Sequence, residues 1–152
     1  MLENIQELID QYIDLSFSVH RKGESLIRDQ IGSDLTNDQH YILRYISQVK
    51  SCTSSELAEE FDVKKSAITA IINRMWEKGL IQRTRDEKDR RVVYLTLTDK
   101  GNQLYVNCEE RIYKLVESFI KQFDPKEIKQ FLETYEKLNQ ILIESKDDKM
   151  EE

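Results

Sequence analysis

Apolar residues recur at helical spacing over the first part of the chain, at Ile5, Leu8, Ile9, Tyr12, Ile13, Phe17 and Val19, with Ser16 as the polar break. With no proline in that stretch, the period predicts one long amphipathic helix ending near Gly32. A second helix follows from "LTNDQHYILRYISQ", where Thr36 and Gln39 stand at capping-box spacing ahead of Tyr41, Ile42, Tyr45, Ile46 and Val49. The same box recurs as Thr53 and Glu56 before Leu57, Ala58 and Phe61, which predicts a short third helix. A turn at "DV" leads into a fourth, "KKSAITAIINRMWEKG", stopped by Gly79 where a left-handed cap belongs.

Beyond Gly79 the period changes from helical to alternating. "LIQRT" and "VVYLTLT" are β-branched and place Val93, Leu95 and Leu97 opposite Tyr94 and Thr96, so they predict a hairpin around the charged loop "RDEKDRR". Thr98 caps a further helix with a stripe at Leu104, Cys108, Ile112, Leu115 and Phe119. Asp124, Pro125 and Glu127 start the last one, which carries Ile128, Phe131, Leu132, Tyr135, Leu138 and Leu142. No repeat or low-complexity linker interrupts this order.

Short helix, tight turn, longer helix and hairpin in sequence describe a winged helix-turn-helix. The expected fold is therefore mainly α with a small two-to-three-stranded β wing. Its divisions are an N-terminal dimerisation helix over residues 1–33, the winged lobe over 34–99, C-terminal dimerisation helices over 100–146 and a disordered acidic tail over 147–152. The flanking helices carry more apolar surface than so small a lobe can cover, at Leu8, Tyr12, Ile112, Phe119, Phe131, Leu138 and Leu142. An isologous homodimer is the economical cover, and an intramolecular bundle is the other.

Charge sharpens this picture. The chain of 152 residues has a formal net charge of −6, yet residues 64–91 hold nine Lys/Arg against four Asp/Glu, leaving fourteen against twenty-five elsewhere. A basic face on an acidic body suits a protein that releases counterions from phosphates along one side only. On the fourth helix Ala67, Ile68, Ile71, Ile72 and Met75 form the inward stripe, while Ser66, Thr69, Ala70, Asn73 and Glu77 fall opposite. Small hydroxyls and an amide there can reach base edges, and Lys64 and Lys65 sit beside phosphates.

From Leu35 to Gly101 the chain resembles the MarR family of bacterial transcription regulators. The resemblance is carried by "LTNDQHYILRYI", "SSELAEEFDVKKSAITAIINRMWEKGLIQR" and "DEKDRRVVYLTLTDKG", the last fitting the wing pattern Asp-x-Arg followed by Leu-Thr-x-x-Gly at Asp89, Arg91, Leu97, Thr98 and Gly101. It implies that Arg91 enters a minor groove and that Asp89 braces the wing by pairing with a nearby arginine. It also implies that Arg74 and Arg83 contact backbone or brace the wing, beside Arg85 and Arg90 at the basic tip, with Ser66, Thr69 and Asn73 reading bases. Lys64 stands where many relatives have a Ser or Thr cap, and Ala70 where many have a long polar side chain.

The resemblance further implies a signal that shifts the dimer between states, often a small lipophilic or phenolic effector in a cleft. Tyr12, Phe17, His20, Tyr41 and Tyr45 are the residues expected to line it, against the plainer reading of aromatics as core. Cys108 lies on an apolar stripe and reads as an inert thiol, and Cys52 lies in a loop near Lys50. His20, Glu24, His40 and Cys108 are the potential metal ligands, but no pair has compact ligand spacing, so neither a metal nor another cofactor is expected.

Two histidines, no nucleophile elbow and no phosphate-binding glycine loop exclude an assembled catalytic site. No apolar run approaches the ~20 residues of a membrane span, and the acidic start is no signal peptide, so a cytoplasmic location is expected. The leading expectation is a homodimeric repressor of double-stranded DNA. The competing one is a winged-helix module that binds protein and not DNA.

Overall fold

The computed structural model describes residues 4–150. Six helices and one hairpin follow in chain order: α1 (Ile5–Ile31), α2 (Asn37–Val49), α3 (Ser54–Glu60), α4 (Lys65–Glu77), β1 (Ile81–Arg85), β2 (Val93–Leu97), α5 (Asp99–Ile120) and α6 (Pro125–Met150). The chain divides into two compact units, one running to Ile112 and the other starting at Tyr113.

Both capping boxes form. Gln39 N–H donates to Thr36 Oγ1 at 3.1 Å and Thr36 N–H to Gln39 Oε1 at 3.2 Å; Thr53 and Glu56 exchange the same pair at 3.2 Å each. Two donors at each helix start that would otherwise lack partners are thereby satisfied. The turn between α3 and α4 needs a positive φ at Asp62 (53°), and Val63 N–H closes it on Ala58 O at 3.0 Å.

α4 ends in a Schellman motif. Gly79 takes φ 74°, its N–H donates to Trp76 O at 2.9 Å, and Leu80 N–H reaches back to Met75 O at 3.0 Å. The chain then enters β1 at a fixed angle.

In the first unit Ile31, Ile42, Leu43, Ile46, Leu57, Ile68, Ile72, Met75, Leu80, Ile81 and Leu95 are almost wholly buried in one core. Each contributes about 1.5–3 kcal/mol by leaving water. Cys108 and Ile112 of α5 and Ile31 of α1 enter the same core, so this unit takes in α1 and the part of α5 up to Ile112 as well as the winged lobe. Ile112, expected to need a partner chain, is covered here instead.

The hairpin pairs Ile81 with Leu97, Arg83 with Leu95 and Arg85 with Val93. A third short segment joins it: Cys52 and Leu95 exchange backbone hydrogen bonds of 3.2 and 2.7 Å. On α4 the buried stripe is Ile68, Ile72 and Met75 with Ile71 at its flank, whereas Ala67 is exposed. The expectation that Ala67 points inward is thus corrected, because at 3.6 residues per turn it lies about 100° from the centre of that stripe.

The second unit holds the end of α5 and α6. Helix continues through Met150, over four of the six positions for which a disordered tail is expected; residues 151–152 lie outside the described residues. Acidic and basic residues in "ESKDDK" are compatible with helix, since their charge opposes burial and not helical backbone.

Candidate nucleic-acid interface

α4 starts at Lys65 with Lys64 as its cap residue and no side-chain cap bond, so no side chain covers its first N–H groups, and the exposed Lys64 and Lys65 bring two positive charges to that end. Ser66, Thr69, Ala70 and Asn73 are exposed on the helix face opposite the core stripe, as expected. Thr69 Oγ1 donates to Lys65 O at 2.8 Å, which leaves the hydroxyl oxygen turned outward as an acceptor. Arg74 is exposed on the flank of the same helix.

Asn73 does not stand alone on that face. Its Oδ1 accepts a hydrogen bond from Arg83 Nη2, and the Arg83 guanidinium lies 5.3 Å from the centroid of the Trp76 ring. β1 thus delivers Arg83 onto α4, where a half-exposed indole and an amide hold it.

The wing is built largely by its own charged residues. Arg91 donates through its backbone N–H, Nε and Nη2 to the Asp89 carboxylate at 3.1, 3.0 and 3.2 Å. That pairing holds the Asp89 carboxyl below its ordinary range, and the carboxylate raises the guanidinium's value in return. Arg91 nonetheless keeps its side chain 91% exposed. Asp89 therefore orients Arg91, the arginine for which a minor-groove role is expected.

Arg85 Nη1 donates to Arg90 O at 2.9 Å, bracing the loop from inside. Asp86 closes it further, accepting from Lys88 N–H at 2.8 Å and from the Tyr94 hydroxyl at 3.3 Å. The Asp86 charge, followed by burial, pushes the Tyr94 phenol up, so it stays a donor at neutral pH.

Thr98 locks the wing to α4. Its N–H donates to Leu80 O at 3.1 Å, its hydroxyl donates to Gly79 O at 2.6 Å and accepts from Gly101 N–H at 2.9 Å. At Gly101 an added Cβ would stand 2.0 Å from Leu80 O, closer than any pair of such atoms can sit. The Leu-Thr-x-x-Gly pattern thus records a joint, and only glycine fits its last position.

The residues expected to line an effector cleft are not drawn together. Tyr45 is half-buried against the lobe core and meets Phe61 edge-on, with ring centroids 6.2 Å apart. Tyr12, Phe17 and Tyr41 are exposed, and His20 lies on α1 beside Glu24 at 3.5 Å. An open groove of about 580 Å³ lined by Ser33, Asp34, Lys78, Leu80, Lys100 and Leu104 holds none of the five.

Among the described residues no three His, Cys, Asp or Glu converge as a metal site would require. His20 pairs with Glu24 and His40 with Glu109, at two separate places. Cys52 is buried at its bridge to Leu95, where burial pushes its thiol up to about 11. Cys108 is buried too, with its thiol raised by the same cause. Both therefore remain protonated and slow as nucleophiles.

Sequence reasoning passed over a polar cluster between α2 and α5. His40 is almost fully buried, its Nε2 stands 3.4 Å from Glu109 Oε2, and Arg44 pairs with the other carboxylate oxygen. Tyr41 and Tyr105 flank the imidazole. Desolvation lowers the His40 value, Glu109 opposes that and Arg44 adds to it, so the ring is neutral at pH 7. Arg44 and Glu109 lie 65 residues apart, and no local pattern joins them. Trp76 was not singled out in the sequence at all, and its place under Arg83 is created by the fold.

A basic, donor-rich helix face beside an arginine-tipped hairpin defines the class, a winged helix-turn-helix protein whose site is a binding surface for nucleic acid and not a catalytic cleft. Residues 35–93 match the sequence model of the MarR family. The chain is 31% identical over 106 residues to the uncharacterized HTH-type transcriptional regulator YwhA of Bacillus subtilis, spanning 70% of this chain and 76% of that one. Over 68 residues it is 43% identical to the HTH-type transcriptional repressor MdtR of the same organism, 45% of this chain and 44% of that one. Its fold matches that of Streptococcus pneumoniae FabT in complex with DNA, with a TM-score of 0.75, 26% identity, and coverage of 92% and 98% of the two chains. The chain belongs to the MarR family of transcriptional regulators. No helix among its described residues is long and apolar enough to cross a membrane.

Proposed function

We propose that the protein is a homodimeric repressor that binds a pseudo-palindromic duplex operator and releases it when a small lipophilic or phenolic effector binds. The observation that carries the DNA reading is the wing, where Asp89 holds Arg91 with its side chain 91% exposed, beside the donor face of α4. Narrow A/T-rich minor grooves concentrate negative potential and favour an inserted arginine. Lys64, Lys65, Arg74 and Arg90 are exposed around it and suited to phosphates, while Arg83 is held by Asn73 and Trp76. A surface for an acidic or basic protein partner would need neither the hydroxyls of Ser66 and Thr69 nor the amide of Asn73.

Apolar exposure supports the dimer. In the first unit α1 leaves Leu8, Tyr12, Ile13, Phe17 and Val19 open to solvent, and in the second Phe119, Phe131, Leu132, Tyr135 and Leu142 are open. Exposed faces this long are costly for an isolated chain and suit a two-fold interface. The effector reading rests on the exposed aromatics Tyr12, Phe17 and Tyr41 and on family membership. The crystal structure of a MepR-like protein complexed with pseudoligands, 30% identical with a TM-score of 0.65 over 88% of this chain and 95% of that one, is consistent with it.

The test is Arg91→Ala. Duplex affinity falls and the salt slope shrinks by about one counterion unit, with dimer mass and melting temperature unchanged. Unchanged affinity and slope would contradict the wing assignment.

A further inference from the structure

We infer that Asn73 reads a guanine, and that Arg83 sets this specificity by fixing which way the Asn73 amide faces. The inference deepens the DNA-binding reading and rests on it. A guanidinium carries only donors, so the amide atom that faces Arg83 is the oxygen. The Nδ2 amino group is then the part of Asn73 turned to solvent. Arg83 itself is held from two sides, by Asn73 and by the Trp76 face 5.3 Å away, so the arrangement is seated before DNA arrives.

An asparagine that pairs with adenine uses both ends of its amide, accepting from N6 and donating to N7. Here the accepting end is occupied by a cation, and a second donor approaching it would meet the positive edge of the guanidinium. Asn73 and Arg83 together form an edge dominated by donors, because the lone pair left on Oδ1 lies beside the guanidinium. In the major groove the base with two acceptors on one edge is guanine, through O6 and N7. Neutral Asn73, unlike an aspartate in its place, leaves the full charge of Arg83 to add to that attraction. Trp76 is half-exposed and fills no core position, which accords with a role as the seat for Arg83.

The experiment selects binding sites from a random duplex library with the full-length protein, then with Asn73→Ala, Arg83→Ala and Trp76→Ala, each checked by thermal melting. One base pair per half-site loses its preference in Asn73→Ala, by roughly tenfold in relative affinity. The wild-type protein has G·C at that pair. Arg83→Ala frees the amide oxygen and moves the preference there toward A·T, and Trp76→Ala moves it in the same direction by a smaller factor. An A·T preference at that pair in the wild-type protein would overturn the inference, as would an Asn73→Ala variant that weakens every sequence alike. A wild-type protein that enriches no motif at all would overturn the operator-binding reading and the inference with it.

Discussion

At the scale of single residues, His40 shows how burial outweighs a neighbouring charge. Removing an imidazolium from water is costly, and the Glu109 carboxylate 3.4 Å away does not recover that cost because Arg44 already engages it. Desolvation therefore leads in lowering the His40 value from 6.5. The sign of the pH effect follows: below pH 6.5 the unfolded chain binds a proton at this position that the folded chain refuses. Stability from this group is complete above pH 6.5 and declines as pH falls below it. Chemical unfolding of the wild-type protein and His40→Gln between pH 8 and 5 should give curves whose difference changes below pH 6.5. Parallel curves across that range would show that His40 titrates alike in both states.

Between elements, the joints are more telling than the elements themselves. Thr98, Gly79, Leu80 and Gly101 couple the end of α4 to the start of α5 through three hydrogen bonds, with the wing hanging between. Gly101→Ala puts a methyl against the Leu80 carbonyl and should cost about 3 kcal/mol, read from denaturant unfolding, with duplex binding lost in parallel as the wing is displaced. A loss below 0.5 kcal/mol would mean that the joint gives way easily. The helices were legible in the sequence because both capping boxes and the glycine stop are local signals, read within four residues. The hairpin was legible for the same reason, from its alternation. The Cys52 bridge, the Arg83 seat on Trp76 and the His40 cluster were not, since each pairs residues whose proximity only the tertiary fold creates. The helical end of α6 was misread because charge density argues for exposure, and an exposed helix satisfies that as well as a disordered tail does. In the candidate interface the residue types were legible, and so was an arginine partner for Asp89, but not that this partner is Arg91 itself or that Asn73 is already engaged by Arg83.

Over the whole molecule, the acidic balance and the basic wing serve one purpose. Net charge −6 discourages indiscriminate attachment to nucleic acid, while the concentration of lysine and arginine over residues 64–91 attracts it along one face. A two-fold dimer would present that face twice, with recognition helices about one DNA turn apart. The apolar faces of α1 and α6, exposed in the single chain, are where such symmetry would be made. The most direct measurement is the symmetry of the DNA the protein chooses: footprinting of the wild-type protein on its selected duplex should give two inverted half-sites with centres about 10 bp apart, protected together at one protein concentration. A single unrepeated half-site, or no protected sequence, would contradict a dimer that reads a pseudo-palindromic operator.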